Sequence, residues 1–352
     1  RLLPSAGALQ SAMRARRLAR MLAQHMPQTA SRLNTSSLPP PATEGVVYVN
    51  SLASLLGHPR SPAHKDHSLQ MHFAAANIPH PEKVHRGGED SYFACPSTKS
   101  FGIADGVGGW ADAGVDPGEF SRLLMHCAYE DITQVPVNKL ADLREVLRTA
   151  VGRVGTSQLQ GSCTALLGHL HGSTLGLLNL GDSGVIVLRP ALRTLPGSER
   201  PMLVPRLVFR SCEQTHYFNC PYQVTSGTAE VEEPDLFQVR IEPGDLIIAC
   251  SDGVLDNLFD KQIQAIAGTE LADVWLGGGE CGPGLNALAQ TLAVQAQNVG
   301  KAEPKNDVPT PWSVGARAEG IDMFGGKLDD TTVVVALTEV AEASSSQAST
   351  ST

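Results

Sequence analysis

The sequence predicts a fold that mixes helices with strands, on three observations. Short apolar runs end in Asp-Gly at residues 101–106 and again at 246–253. Two stretches, 140–154 and 285–297, repeat their apolar residues at helical spacing. Two further strand-like runs are separated by the turn residues Leu180-Gly181-Asp182-Ser183.

Composition narrows the function classes. The chain has 352 residues, 42% apolar and 18% charged, which suits one large globular domain or two ordinary ones. A net charge of -9 argues against nucleic acid as a partner, because phosphate backbones need a basic surface. Seven cysteines without a C-x-x-C pair predict free thiols rather than a disulfide scaffold or a zinc site. No apolar run approaches the ~18 residues of a membrane span.

In chain order, residues 1–43 stand apart. Arg1, Arg14, Arg16, Arg17, Arg20 and Arg32 precede the first acidic residue, Glu44, with Leu9, Met13, Leu18, Met21 and Leu22 among them. An Arg-rich, acid-free, amphipathic start has the composition of an organelle transit peptide. The excess of Arg over Ser favours the mitochondrion, with the chloroplast as the alternative. Residues 44–68 read as a linker containing one apolar run, Val46-Val47-Tyr48-Val49. Its histidines His58, His64 and His67 lie among prolines and read as solvated.

A globular domain is expected over 69–340. Leu69-Gln70-Met71-His72-Phe73-Ala74 alternates as a strand. Gly87-Gly88 permits a bend, which Glu89 and Asp90 need if both carboxylates are to face one site. Residues 119–134 read as a helix. So do 140–154, through Leu140, Leu143, Leu147, Ala150, Val151 and Val154, with a solvated opposite face. Residues 161–167 read as a strand, and 173–179 with 184–189 as a β-hairpin in which Gly181 and Asp182 are turn residues. Residues 190–206 hold four prolines and read as a surface loop. A buried strand over 246–250 runs into Ser251-Asp252-Gly253, and 285–297 form an amphipathic helix. Asp329-Asp330 precede an apolar strand at 333–337. The Ser/Thr/Ala-rich tail 341–352 has a disordered composition.

Four acidic sites share one layout. Glu89-Asp90, Asp105-Gly106, Asp252-Gly253 and Asp329-Asp330 each sit at a strand edge beside glycine or another carboxylate. A single Asp-Gly is most simply a hairpin turn. Four together suggest oxygen-only ligands converging on a cleft, which selects Mg²⁺ or Mn²⁺ over zinc. Two such ions can share a bridging aspartate and activate water for in-line attack on phosphate.

Gly88-Glu89-Asp90-Ser91, Ala104-Asp105-Gly106-x-Gly108-Gly109, Gly161-Ser162-Cys163-Thr164-Ala165, Asn179-Leu180-Gly181-Asp182-Ser183, Ala249-Cys250-Ser251-Asp252-Gly253 and Asp329-Asp330-Thr331-Thr332 occur in a telling order. In that order the chain resembles the metal-dependent Ser/Thr protein phosphatases of type 2C, over about residues 70–340. Gly87, Trp110 and Gly325-Gly326-Lys327-Leu328 place it nearest the organellar, Ptc-seven-like branch.

The resemblance implies an α+β fold, a four-layer α-β-β-α sandwich of two antiparallel sheets flanked by helices. It implies a monomer that uses two Mn²⁺ or Mg²⁺ ions on a phosphoprotein substrate. Asp105 would bridge the ions, Asp252 and Asp329 would hold one, and the Gly106 carbonyl with Glu89 would hold the other. Asp90 would orient bound waters. Asp256, one turn after Asp252, reads equally as a helix cap.

Three positions depart from the family pattern. His85 replaces a phosphate-binding arginine, leaving Arg86 as the neighbouring candidate. Val107 replaces a histidine, and Gln158 replaces an aspartate of a third metal site. An inactive phosphoprotein-binding relative and a two-metal hydrolase of small phosphoesters are the competing readings.

Overall fold

The strand Leu246–Cys250 is buried along its whole length and serves two cores at once. Leu246, Ile248 and Cys250 face helices, whereas Ile247 and Ala249 face a second sheet. That alternation repeats through the computed structural model, which describes residues 46–48, 68–194, 201–227, 233–303 and 308–341.

The principal elements begin with β1 (Val46–Tyr48), β2 (Leu69–Ile78), β3 (Ser91–Cys95), β4 (Ser100–Ala104), α1 (Pro117–Thr133) and α2 (Leu143–Thr156). Next come β5 (Ala165–His171), β6 (Thr174–Leu180), β7 (Gly184–Arg189), β8 (Arg206–Arg210), β9 (Asp235–Arg240) and β10 (Leu246–Cys250). The last are α3 (Asp260–Glu270), α4 (Cys281–Lys301), α5 (Pro311–Ala318) and β11 (Thr331–Val340). Among the described residues, one antiparallel sheet has the order β1-β9-β6-β5-β4-β3 and the other β8-β7-β10-β11-β2.

The sheets pack face to face through Leu69, Phe101, Ile103, Leu166, Leu177, Val187, Phe209 and Val334. Helices α1 and α2 cover the outer face of the first sheet, and α3 and α4 that of the second. The expected four-layer α-β-β-α sandwich is the observed fold. The predicted transit segment 1–43 and all of the tail but residue 341 lie outside the described residues. Within the stretch read as a linker, β1 pairs with β9 as an edge strand, Val46 opposite Val239. Among the described residues no helix is long and apolar enough to cross a membrane. All seven cysteines are free.

Four readings need correction. β6 and β7 do not form a hairpin: β6 lies between β5 and β9 in the first sheet, β7 between β8 and β10 in the second. Both strands are buried on both faces, so periodicity carried no information about partners. The hairpin is β5–β6, turned at Gly172 and Ser173.

Helix α2 starts at Leu143, because the Asp142 side chain accepts the Glu145 N–H at 3.2 Å and caps it. Residues 161–167 are two strands. Thr164 breaks them by donating its N–H to the Asp105 carbonyl and accepting the Asp105 N–H on Oγ1. In the proline-rich stretch, Leu192–Thr194 pairs with Pro201–Leu203 rather than forming a plain loop.

The registers gather the acidic sites at one end of the sandwich. Ser91 pairs with Ala104, so Asp90 and Asp105 leave the first sheet side by side. Cys250 pairs with both Gly184 and Val333, so the loops carrying Asp182, Asp252 and Asp329 leave the second sheet together.

Candidate metal centre

Glu89, Asp105, Asp252 and Asp329 line one cleft of about 290 Å³, together with Gly106, Val107, Thr164 and Asp182. Gly87 and Gly88 make the bend that delivers Glu89, with φ of 85° and 81°. That backbone region is costly for any residue with a Cβ. Gly253 allows the other close approach, since a Cβ there would stand 2.0 Å from the Asp330 carbonyl oxygen.

Glu89 and Asp90 are both almost fully buried. No hydrogen bond of ordinary geometry reaches either Asp90 carboxylate oxygen, nor Asp252 Oδ1. Burial, then the Asp330 charge, pushes the Asp90 carboxyl up to about 8, although the nearby Thr332 and Ser251 hydroxyls pull it down. Asp105 opens part of its surface to the cleft, yet protein atoms crowd its carboxylate. Desolvation, followed by the charges of Asp252 and Asp90, raises its pKa well above the usual carboxylate range.

Asp182 rises for the same reason, desolvation first and Asp252 next. Asp256 is pushed up to about 7 by burial and Asp252, against Lys327. Its backbone ends the short helix begun at Asp252, and its carboxylate meets Lys327 at 3.2 Å rather than capping a helix N-terminus.

Two lysines enter this acidic cluster. Lys83 Nζ stands 2.6 Å from Glu89 Oε2, 3.1 Å from Asp329 Oδ1 and 3.4 Å from Asp330 Oδ2. Lys327 Nζ pairs with Asp252 and lies 3.3 Å from Asp329 Oδ2. Burial works to raise the Asp329 pKa, but Lys327 and Lys83 together hold it below the usual range. Both ammoniums are held in their charged form by these carboxylates, against desolvation. Arg86 points elsewhere: its guanidinium lies 2.5 Å from Glu89 Oε1 and 3.8 Å from Asp116 Oδ1, and it does not line the cleft.

These residues fit hard divalent cations. Buried carboxylate oxygens without partners, and acids whose pKa values are lifted by one another, both gain from added positive charge. Among the described residues no three His, Cys, Asp or Glu side chains cage an ion as they lie, and the two lysines pair with several of the same carboxylates.

Sequence reasoning named Glu89, Asp90, Asp105, Gly106, Asp252 and Asp329 as candidates, and the structure places all six at this end of the fold. It missed Lys83 and assigned Lys327 no role. It also read Asp182 as a turn residue, whereas Asp182 lines the cleft. The repeated placement of an Asp just past a buried strand could have revealed Asp182, had its two strands been assigned to separate sheets.

The chain is similar to known proteins in sequence and in fold. The chain is 37% identical over 269 residues to "Probable protein phosphatase 2C 55" of Arabidopsis thaliana, covering 76% of this chain and 51% of the relative. It is 32% identical over 280 residues to "Probable protein phosphatase 2C 26" of the same plant, covering 74% of this chain and 80% of that one. The X-ray structure of the photosystem II phosphatase PBCP superposes with a TM-score of 0.59 at 26% identity, over 77% of this chain and all of that one. The catalytic domain of PstP, solved with two manganese ions, shares the fold with a TM-score of 0.51 at 20% identity, over 77% of this chain and all of that domain. No protein-family profile matches the chain.

The chain belongs to the protein phosphatase 2C family. It spans about half the length of the first of these curated relatives.

Proposed function

We propose that this protein is a serine/threonine phosphatase that hydrolyses phosphoserine and phosphothreonine esters with two Mn²⁺ or Mg²⁺ ions. The observation that carries the proposal is the meeting of Glu89, Asp105, Asp252 and Asp329 in one cleft. The residues that would hold the ions are Asp105 for both, Asp252 and Asp329 for one, and the Gly106 carbonyl with Glu89 for the other. When bound, the ions lower the pKa of water and withdraw charge from the phosphoryl oxygens.

The chain's own groups do the rest. Thr164 Oγ1 accepts the Asp105 N–H at 3.0 Å and holds that carboxylate at its strand end. Buried Asp90, whose charge bears on Asp105, would orient waters held by the ions. Lys83 lines the cleft wall and would turn to a phosphate dianion once Glu89 and Asp329, the carboxylates it now pairs with, are taken over by bound ions. Arg86 can add a second phosphate contact only after leaving Glu89 and Asp116. Val107 lines the cleft and has no proton to give, so the leaving alkoxide takes its proton from another group.

Residues 69–340 form the body of the proposed catalytic domain, acting as a monomer, with 1–43 as transit segment, 44–68 as a linker that lends the edge strand β1 to the first sheet, and 341–352 as tail. The acid-free start supports import into an organelle. Its arginine excess favours the mitochondrion, whereas the likeness to a photosystem II phosphatase favours the plastid. A fluorescent fusion with and without residues 1–43 separates these outcomes.

The deciding experiment measures Mn²⁺-dependent phosphate release from phosphopeptides and small phosphometabolites. Preference for phosphoserine and phosphothreonine peptides supports the proposal. Hydrolysis of metabolites alone, or binding without turnover, rejects it.

A further inference from the structure

Beside the metal cleft runs a second, larger groove of about 410 Å³, which no step of the reaction uses. Its apolar lining comes from Trp110, Phe120, Val151, Val154 and Leu159, with Thr225, Ser226 and Gly227 along one rim. None of its lining residues is charged.

The groove and the cleft share a wall. Gly106, Val107, Gly108 and Gly109 line the cleft, and the next residue, Trp110, lines the groove. Ser162 ties the two together. Its carbonyl accepts the Val107 N–H at 2.9 Å, and its hydroxyl accepts the Trp110 Nε1–H at 2.7 Å. It also pairs with Thr225 on the groove's rim, next to the bridge between Cys163 and Gly106. One short ladder therefore fixes the groove against the loop that carries Gly106.

We infer that this groove binds an apolar side chain of the phosphoprotein substrate, close in sequence to the phosphorylated residue. The inference rests on the phosphatase reading above. The shared wall sets the spacing: Val107 to Trp110 spans at most about 10 Å, which an extended peptide covers in about three residues. The apolar wall of Trp110, Phe120, Val151, Val154 and Leu159, set against the uncharged amides of Gln158 and Gln160, favours Leu, Ile, Met or Phe at that position, and the Trp110 N–H is already paired to Ser162.

The test uses phosphothreonine peptides carrying Leu or Asn at each position two to four residues from the phosphothreonine, on either side, with 4-nitrophenyl phosphate as a substrate that cannot reach the groove. Leu at one of these positions should raise kcat/KM about tenfold over Asn, mainly through KM. Leu159→Asp should abolish that advantage and leave the aryl phosphate rate unchanged. The inference alone is overturned if peptides are hydrolysed without regard to the flanking residue, or if Leu159→Asp keeps the Leu advantage. If no phosphopeptide is hydrolysed while the aryl ester is, the phosphatase reading falls and takes this one with it. Should Leu159→Asp fail to fold, a benzophenone-bearing phosphopeptide on the wild-type protein decides. Labelling within 151–160 or 225–227 supports the groove, and labelling elsewhere overturns it.

Discussion

Asp330 Oδ2 accepts the backbone N–H of Glu89 at 2.8 Å, across 241 residues of chain. Asp330 Oδ1 accepts the His80 N–H at 2.6 Å. The carboxylate just before β11 thus fastens the loop that presents Glu89, while its neighbour Asp329 faces the cleft. Adjacent aspartates divide the work, one holding backbone and one facing the site.

Asp330→Ala should leave two backbone donors unpaired, one of them on buried Glu89, and cost roughly 2–5 kcal/mol of stability. Asp330→Asn keeps one acceptor but turns its NH2 donor toward the other N–H, so it should cost less than Asp330→Ala without restoring the wild-type value. Urea unfolding of both variants checks the ranking. A Mn²⁺ titration should show weakened binding in Asp330→Ala, because Glu89 is no longer held in place.

The crowded carboxylates predict that divalent cations stabilise the fold. A saturating ion at a hundred times its Kd adds about 2.7 kcal/mol. Mn²⁺ should therefore raise Tm in the wild type, and excess chelator should remove both the rise and the activity. Asp105→Asn should abolish nearly all activity and most of the Mn²⁺-induced shift in Tm.

Lys83 and Arg86 make opposing predictions about phosphate. Lys83→Ala should raise KM for phosphopeptides and lower kcat/KM by more than tenfold, about 1.4 kcal/mol or more, as loss of a charge-assisted contact does. Arg86→Ala should have a smaller effect, acting through release of Glu89. Steady-state kinetics at saturating Mn²⁺ separates the two, and the reverse order would make Arg86 the anchor.

Away from the cleft, His169 Nδ1 accepts the Ala141 N–H at 3.0 Å, so the ring is neutral there. Burial, with repulsion from His171 and Lys99, lowers its pKa to about 4 from the usual 6.5. The unfolded chain then takes up a proton that the folded chain refuses. The stabilisation is complete above pH 6.5 and falls as the pH drops toward 4, by up to about 3 kcal/mol. His169→Gln retains an acceptor without titrating and should flatten that part of the pH–stability curve, measured by urea unfolding.

Much of this architecture is legible without coordinates. The strand edges that carry Asp105 and Asp252 announce themselves because a buried apolar run must stop where a charge begins. Helices α1, α2 and α4 show through their apolar stripes. Helix α3 hides, because Ile263 and Ala267 are its buried residues and make too sparse a stripe. Lys83 and Lys327 could not be placed, since a lysine's position depends on which carboxylates the fold brings within reach. The false hairpin at Gly181 has the same root: partner choice for a doubly buried strand is a property of the assembled sheets.

Strand β11 enters the second sheet between β10 and β2, with Thr331 opposite Ile78 and Val340 opposite Leu69. Among the described residues the last strand is therefore an inner strand, and its partner β2 emerges from the ribosome more than two hundred residues earlier. Until β11 arrives, β2 and β10 each expose an open hydrogen-bonding edge, and Asp329 and Asp330 are absent from the cleft. Over that interval the nascent chain carries β2 without its β11 partner, and the acidic cluster is complete only once Asp329 and Asp330 have been made. A product truncated before residue 329 would be both sticky and silent.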